Sequence, residues 1–124
     1  MKRLKMVKNI FIVGMGGMIG SMARYVAFIL FGSTTFPYST LIINVIGSLL
    51  IGCITGYALR NMAFAEWRLF LATGICGGFT TFSAFSIECV YLLQQNRTIA
   101  AITYACTSVL LGVVAAFAGY HFTK

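Results

Sequence analysis

The sequence predicts an all-α membrane protein with four transmembrane helices, and three observations support this. First, 60% of its 124 residues are hydrophobic and only 9% are charged, whereas soluble proteins carry about 25% charged residues. Second, the apolar residues form four runs, at about 9–31, 40–59, 69–95 and 99–122, each close to the roughly 20 residues that cross a bilayer. Third, most cations flank these runs instead of interrupting them. At this length we expect one domain, residues 1–124.

The first run could be mistaken for a signal peptide, because four cations precede it: Lys2, Arg3, Lys5 and Lys8. It is, however, too long for a signal-peptide apolar region of roughly 7–15 residues, and no small-residue cleavage pattern is obvious. We therefore interpret it as a retained first span.

Small residues in the first span predict close helix packing. Gly16 and Gly20 form a GxxxG pair, which lets another backbone approach closely. Arg24 follows four residues later on the same face. An arginine at this depth should face protein or water, so we place it at an interface or in a vestibule, with a snorkelling structural role as the alternative.

A polar stripe marks the second span, which follows a short loop at 32–39. Its small or polar residues recur every four positions: Asn44, Ser48, Gly52 and Gly56. Packing explains the glycines but not Asn44, because its amide is costly to leave unpaired in hydrocarbon. A structural hydrogen bond between helices and a role in a pathway both remain open at this point.

The third span contains the stretch GICGGFTTFSAFSIE at 74–88, which predicts an interrupted helix. Gly77 and Gly78 each cost about 1 kcal/mol relative to Ala in a helix, so we place the break there. Hydroxyls that compete for the freed backbone groups follow at once, on Thr80, Thr81 and Ser83. In a bilayer, such a break is tolerated only where protein or a water-filled cavity satisfies the backbone.

Two aromatic rings and a carboxylate follow this predicted break. Phe82 and Phe85 are three residues apart and so share one helix face, and Glu88 lies one turn further on. An acidic group within a span is a functional candidate by default. Together these residues indicate an ion or substrate pathway, although core packing alone could explain the two phenylalanines.

The fourth span carries another stripe, formed by Tyr104, Ser108 and Gly112. Four such helices pack around a filled centre, so a pathway requires an oligomer, and the small-residue faces of spans one and two offer contact surfaces. His121, at the exit of the span, is most simply an interfacial residue. With one histidine and two acidic side chains, the chain offers nothing for nucleophilic or metal-hydrolytic chemistry and is predicted not to be an enzyme.

The cations and the cysteines point to the membrane as well. A net charge of +7 could indicate nucleic acid, but most of it flanks apolar segments, where anionic lipid headgroups and topology signals explain it. We therefore expect the lipid bilayer as a partner and no nucleic acid. The cysteines lie in apolar segments without CxxC spacing and are interpreted as small hydrophobic residues: Cys53, Cys76, Cys89 and Cys106.

Three segments resemble the signature segments of the Fluc (CrcB-type) fluoride channels: GMGGMIGSMARY at 14–25, TLIINVIGSLLIG at 40–52 and GICGGFTTFSAFSIE at 74–88. The resemblance extends over essentially the whole chain in length, number of spans and motif order. It implies a passive, fluoride-selective channel in the inner (plasma) membrane that exports cytoplasmic fluoride. It also implies a dual-topology dimer of antiparallel subunits, with two pores along their interface.

Residue roles follow from the same resemblance. It makes Phe82 and Phe85 the pore phenylalanines and Asn44 a donor on the second helix. Tyr104 and Ser108 would form a polar track on the fourth helix. This assignment agrees with the chemistry of fluoride, since a dry pore must replace the water of a strongly hydrated anion with donors, and ring edges are weakly positive.

The resemblance implies a structural sodium ion at the dimer centre, held by the backbone carbonyls of Gly77 and Thr80 from both subunits. Carbonyls are hard oxygen ligands that suit a small cation. Thr81 and Ser83 can donate further hydrogen bonds to the anion. Arg24 and Glu88 would lie towards the ends of the pore.

Three positions depart from the family pattern. Ala84 stands where a threonine is frequent, Phe79 where a smaller aliphatic residue is common, and Gly112 where some relatives carry a hydroxyl. The first and last shorten the polar track.

Two other functions remain alternatives. A proton-coupled, small four-span exporter would use Glu88 as its exchanging carboxylate. Such an exporter needs a cationic cargo, and two phenylalanines beside hydroxyls are a poor match for one. The other alternative is a non-conducting structural subunit.

Charge also predicts orientation. Four spans place both termini and the loop between spans two and three on one side, which collects Lys2, Arg3, Lys5, Lys8, Arg60, Arg68 and Lys124. The opposite side has only Arg97. By the positive-inside rule, we expect both termini in the cytoplasm. A dual-topology homodimer needs both orientations, so the antiparallel partner is either a second copy or a homologue of opposite bias.

Overall fold

The structure, a computed structural model, describes residues 1–32 and 35–124. Ser33 and Thr34 of the predicted loop at 32–39 lie outside these residues. Four helical segments are long and apolar enough to cross a membrane: Lys2–Phe31, Tyr38–Arg60, Met62–Gln94 and Thr98–Thr123. The prediction of an all-α protein with four membrane-spanning helices is confirmed.

Three of these segments are continuous helices, and the third is composite. We name α1 (Lys2–Phe31), α2 (Tyr38–Arg60) and α5 (Thr98–Thr123). The third segment starts with a 3₁₀ turn at Met62–Phe64. It continues as α3 (residues 65–79) and, after two extended residues, as α4 (Phe82–Gln94).

Helix α3 changes its winding along its length. It consists of an α-helical turn at Ala65–Arg68, a π-helix at Leu69–Cys76 and a final α-helical turn at Gly77–Phe79. In the π-helical part, the Gly77 N–H donates to the carbonyl of Ala72, five residues earlier. Such wide turns occur mostly as short inserts in α-helices.

The predicted break at Gly77–Gly78 is wrong in position. Gly77 has helical angles (φ −62°, ψ −38°), whereas Thr80 (φ −75°, ψ 156°) and Thr81 (φ −149°, ψ 116°) are extended. Two contacts explain why the break lies at Thr80 and Thr81. A Cβ on Gly78 would overlap the Gly17 carbonyl of α1, so this glycine serves close packing. The hydroxyl of Thr81 accepts from the Ala84 N–H at 3.1 Å, which caps the start of α4.

The GxxxG face of α1 packs against α3 of the same subunit. A Cβ on Gly16 would lie 2.5 Å from the carbonyl oxygen of Phe70, and one on Gly20 would overlap the carbonyl of Ile75. Both glycines are buried. The expectation that this face contacts another subunit is therefore wrong, because the contact is used within the subunit.

The glycines of α2 are used in the same way, against α5. A Cβ on Gly52 would overlap the carbonyl of Ala116, and one on Gly56 would overlap the hydroxyl of Thr123. That hydroxyl also donates to the carbonyl of Cys53 at 2.9 Å. These glycines of α2 are therefore used for packing within the subunit, like those of α1.

Candidate functional site

Asn44 joins α2 to the extended link between α3 and α4. Its Nδ2 donates to the carbonyl of Thr81 at 3.0 Å, and the Thr81 N–H donates to its Oδ1 at 2.8 Å. The amide thus satisfies both backbone groups of one residue, as a buried interruption of a helix requires. The hydrogen bond between spanning segments that the sequence suggested for Asn44 is therefore present.

The neighbouring hydroxyls bind the ends of the two helices. Thr80 Oγ1 donates to the carbonyl of Cys76 at 2.9 Å. Thr81 Oγ1 lies 3.2 Å from Ser83 Oγ, and either can be the donor. This last bond is long, so the two hydroxyls can redirect a hydrogen atom to another acceptor at small cost.

The link also leaves carbonyls without their helical donors. The Thr81 N–H bonds to Asn44 instead of the Gly77 carbonyl, and the Ala84 N–H bonds to the Thr81 hydroxyl instead of the Thr80 carbonyl. The Thr80 carbonyl accepts instead from Arg24 Nη1 at 3.3 Å. The end of α3 therefore offers backbone oxygens to a side chain or a cation.

An open cleft of about 310 Å³ lies at this link. Most of the residues that line the cleft are polar or small. Phe82, which is 78% exposed, lies at its rim. The lining residues are Asn44, Gly47, Ser48, Ile51, Thr80, Thr81 and Phe82. The cleft therefore brings three of the predicted pore residues together: Asn44, Thr81 and Phe82.

An aromatic row leads from this cleft to the interior. The ring centroids of Phe82 and Phe85 are 5.6 Å apart, and those of Phe85 and Tyr104 are 5.2 Å apart. Tyr104 is fully buried, and its ring meets that of Phe36 nearly at right angles at 5.4 Å. The row therefore runs from an exposed ring to a buried phenol.

Beyond Tyr104, Glu88 accepts two short hydrogen bonds. Thr40 Oγ1 donates to Oε1 at 2.6 Å, and the Tyr104 hydroxyl donates to Oε2 at 2.7 Å. Hydrogen bonds to an ionised acceptor are short and strong. Glu88 also lines a second cleft, of about 290 Å³, which includes residues of the first loop and of α4 such as Pro37 and Tyr91.

Sequence reasoning missed Thr40, although it is fully buried and holds the carboxylate. A signal for it existed, since Thr40 lies four residues before Asn44 and extends the polar stripe of α2 by one turn. Its partner was not predictable, because only the packing of α2 against α4 and α5 brings Glu88 to it.

Ser108 is a buried hydroxyl one turn beyond Tyr104. Its Oγ has no hydrogen-bond partner among residues 1–32 and 35–124. In those residues, no group of three or more His, Cys, Asp or Glu side chains could hold a metal ion.

The comparisons with known proteins agree with one another. Residues 11–120 match the model of the family described as CrcB-like protein, Camphor Resistance (CrcB). The chain is 43% identical over 122 residues to the fluoride-specific ion channel FluC of Flavobacterium psychrophilum, covering 95% of this chain and 98% of the relative. It is 46% identical over 117 residues to that of Caulobacter sp. strain K31, covering 90% and 91%. It is 38% identical over 118 residues to that of Caulobacter vibrioides, covering 91% and 93%. The motif-based family prediction is confirmed, and the chain belongs to the CrcB-like (Camphor Resistance) family.

Proposed function

We propose that this chain is a passive, fluoride-selective channel, a multi-pass protein of the cell membrane and not an enzyme. The observation that carries the proposal is the exposed Phe82 ring, which lies at the rim of an amide- and hydroxyl-lined cleft and continues into Phe85. Relatives that are 38–46% identical over most of the chain are named fluoride-specific ion channels. Membership of this family implies that the channel lets fluoride leave the cytoplasm.

The chemistry of the cleft suits a small anion. Fluoride gives up strongly bound water, so a pathway must offer donors along its length. Thr81 and Ser83 share one long hydrogen bond that either can redirect, and Ser108 has an unused hydroxyl in the described chain. Ring edges of Phe82 and Phe85 add weakly positive hydrogen atoms. Because these donors are neutral, binding stays weak enough for the ion to leave.

A single subunit leaves this pathway open on one side. Asn44, Thr80 and Thr81 border an open cleft, and lipid tails in the hydrocarbon region offer no polar groups to an anion there. In this proposal a second subunit covers the cleft. An antiparallel pair related by a two-fold axis would bury two such clefts and produce two equivalent pores.

A structural sodium ion at the dimer centre is compatible with the donor set. The carbonyls of Gly77 and Thr80 lose their usual helical donors, and carbonyl oxygens suit a hard cation. Arg24 donates to the Thr80 oxygen at 3.3 Å, so the ion would use the second lone pair of that oxygen. When bound, the cation would cross-link the ends of α3 from the two subunits.

The partner subunit is either a second copy or an oppositely oriented homologue. The bias of seven cations against one favours insertion with both termini in the cytoplasm. An antiparallel pair made only of this chain would require the minority orientation. We propose that the pair in the cell forms preferentially with a homologue of inverted charge bias. Accessibility labelling of a terminal cysteine tag in native membranes tests this. Equal labelling from both faces, with this chain as the cell's only such protein, would contradict it.

Glu88 gives the exporter alternative little support. Both of its oxygens are held by buried hydroxyls, Thr40 and Tyr104, within 2.7 Å. An exchanging carboxylate must release such partners in every cycle. No contact of the described chain marks a site for a cationic cargo beside it.

Flux from reconstituted liposomes tests the proposed function. Vesicles loaded with fluoride should discharge, whereas chloride-loaded vesicles should not. Phe82→Ile and Phe85→Ile should each suppress fluoride flux with unchanged size-exclusion profiles, because aliphatic carbon keeps much of the volume but removes the positive ring edge. The matched control is Phe117→Ile, an exposed ring on α5 that stacks on His121. Normal flux in both pore variants would show that the two rings serve only to pack the protein.

A further inference from the structure

Helix α1 is longer than a bilayer requires. Its 30 residues span about 45 Å at 1.5 Å per residue, whereas the hydrocarbon core measures about 30 Å. Roughly ten residues of the helix therefore extend into the headgroup region. The cations of α1 that precede the first span identify the N-terminal end as the one that extends.

One face of this end combines two ammonium groups with apolar side chains. The face borders an open groove of about 490 Å³. The groove is lined by Lys2, Lys5, Met6, Asn9, Ile10 and Val13. Lys2 and Lys5 lie nearest the N-terminus and Ile10 and Val13 nearest the bilayer centre, with Met6 and Asn9 between them. Met6 and Ile10 are 57% and 62% exposed, so the apolar half is open.

In the described residues, neither Lys2 nor Lys5 forms an ion pair with a carboxylate, although the Lys5 ammonium lies within the electrostatic field of Glu66. The chain contains two acidic residues, and Glu66 pairs with Lys8 at 2.8 Å, while Glu88 is held by Thr40 and Tyr104. The N-terminus of a helix is itself the positive end of its dipole. The groove therefore presents positive charge beside an apolar surface, and Glu66 offsets this charge only in part, through Lys5.

We propose that this groove binds one anionic phospholipid. The phosphate of the headgroup is placed between the ammonium groups of Lys2 and Lys5, with the Asn9 amide as a further donor. An acyl chain lies along Ile10 and Val13. Clusters of cations beside a spanning helix attract anionic headgroups, and the apolar half of the groove selects a lipid over a free phosphate. The proposal depends on membrane insertion but not on fluoride conduction.

Native mass spectrometry of the detergent-solubilised protein, titrated with phosphatidylglycerol or phosphatidylcholine, tests the proposal. We expect retention of phosphatidylglycerol at concentrations at which phosphatidylcholine is lost. In Lys2→Gln/Lys5→Gln, apparent affinity for phosphatidylglycerol should fall about 30-fold, the combined effect of two cations near an anionic lipid. The matched control is Arg60→Gln/Lys124→Gln, which removes two cations from the same end of the bundle and should change affinity by less than about threefold. An equal loss in both double variants would overturn the site, since charge alone would then explain binding.

Two further measurements keep the proposal falsifiable. Ile10→Ser should weaken phosphatidylglycerol binding while leaving the lysines in place, because it interrupts the apolar half. Millimolar inorganic phosphate should not displace the lipid, and displacement would show a simple anion site. The altered side chains are exposed, so an unchanged size-exclusion profile is expected for each variant. Wild-type affinity in the Lys2→Gln/Lys5→Gln protein would refute the proposal whatever the fluoride flux.

Discussion

The two polar clusters along the aromatic row differ in what completes them. At the link between α3 and α4, Asn44 forms two neutral hydrogen bonds with the backbone of Thr81, beside an open cleft and the exposed Phe82. At Glu88, the carboxylate accepts hydrogen bonds from the hydroxyls of two fully buried residues, Thr40 and Tyr104. Both sets of hydrogen bonds are made within the subunit, but the first cluster borders an open cleft whereas the two donors of the second are fully buried. This difference predicts that substitutions at the first will mainly affect conduction and those at the second mainly stability.

The largest effect on conduction is expected for Asn44→Asp. A carboxylate can still accept from the Thr81 N–H, but it cannot donate to the Thr81 carbonyl and it repels an anion. Loss of one buried hydrogen bond costs about 1–3 kcal/mol, and repulsion of the anion adds to this, so fluoride flux should fall by more than about tenfold. Liposome efflux measures it. Undiminished flux would remove Asn44 from the pathway.

Glu88→Gln should lower stability more than flux. The neutral amide oxygen accepts a weaker hydrogen bond than the carboxylate does. The amide NH2 group takes the place of the other oxygen and faces the hydroxyl of Thr40 or Tyr104, which is also a donor. We expect a loss of about 1–3 kcal/mol in unfolding free energy with fluoride efflux within about threefold of wild type. The control is Glu66→Gln, whose carboxylate is exposed in its pair with Lys8 and should matter little. Abolished efflux in a folded Glu88→Gln protein would favour the proton-coupled exporter.

Thr40→Val tests whether the carboxylate cluster acts as a unit. The change keeps the shape but removes the donor to Glu88 Oε1, so the unfolding free energy should fall by about 1–3 kcal/mol. Combined with Glu88→Gln, the loss should be smaller than the sum of the two single losses, with a coupling of about 0.5–3 kcal/mol. Thermal unfolding in detergent measures all three proteins. Additive losses would show that the two side chains are independent.

The smallest effect is expected for Ser108→Ala. Because Ser108 Oγ has no partner in the described residues, its removal should leave the unfolding free energy unchanged or slightly raise it. If the hydroxyl donates to the passing anion, fluoride flux should still fall, by roughly fivefold for one neutral hydrogen bond. Unchanged flux would exclude Ser108 from the polar track. A clear loss of stability would instead indicate a partner within the assembled protein.

The sequence predicted the four helices because hydrophobic length and composition decide membrane insertion locally. It also predicted that Asn44 would need a partner, because an unpaired amide is costly in any fold. The position of the break was not predictable from glycine content. The packing of Gly78 against α1 and the pairing of Thr81 with Asn44 are contacts between distant parts of the chain. The same holds for Thr40 and Glu88, 48 residues apart.

The small residues show that a packing motif does not identify its partner helix. The GxxxG pair correctly indicated close packing, but a glycine face does not specify its partner. Gly16 and Gly20 pack against α3, and Gly52 packs against α5. Only three-dimensional structure distinguishes packing within a subunit from packing between subunits.

The π-helical winding of Leu69–Cys76 has a consequence for how the chain tolerates changes in length. A π-helix closes its hydrogen bonds over five residues and therefore holds more residues in each turn than an α-helix does. Removing one residue from a regular α-helix rotates the flanking parts by roughly 100°. In this segment, a change from π to α winding would offset that rotation, so Gly78 would keep its contact with Gly17. A one-residue deletion should consequently be tolerated better here than in the regular helices α1, α2 and α5.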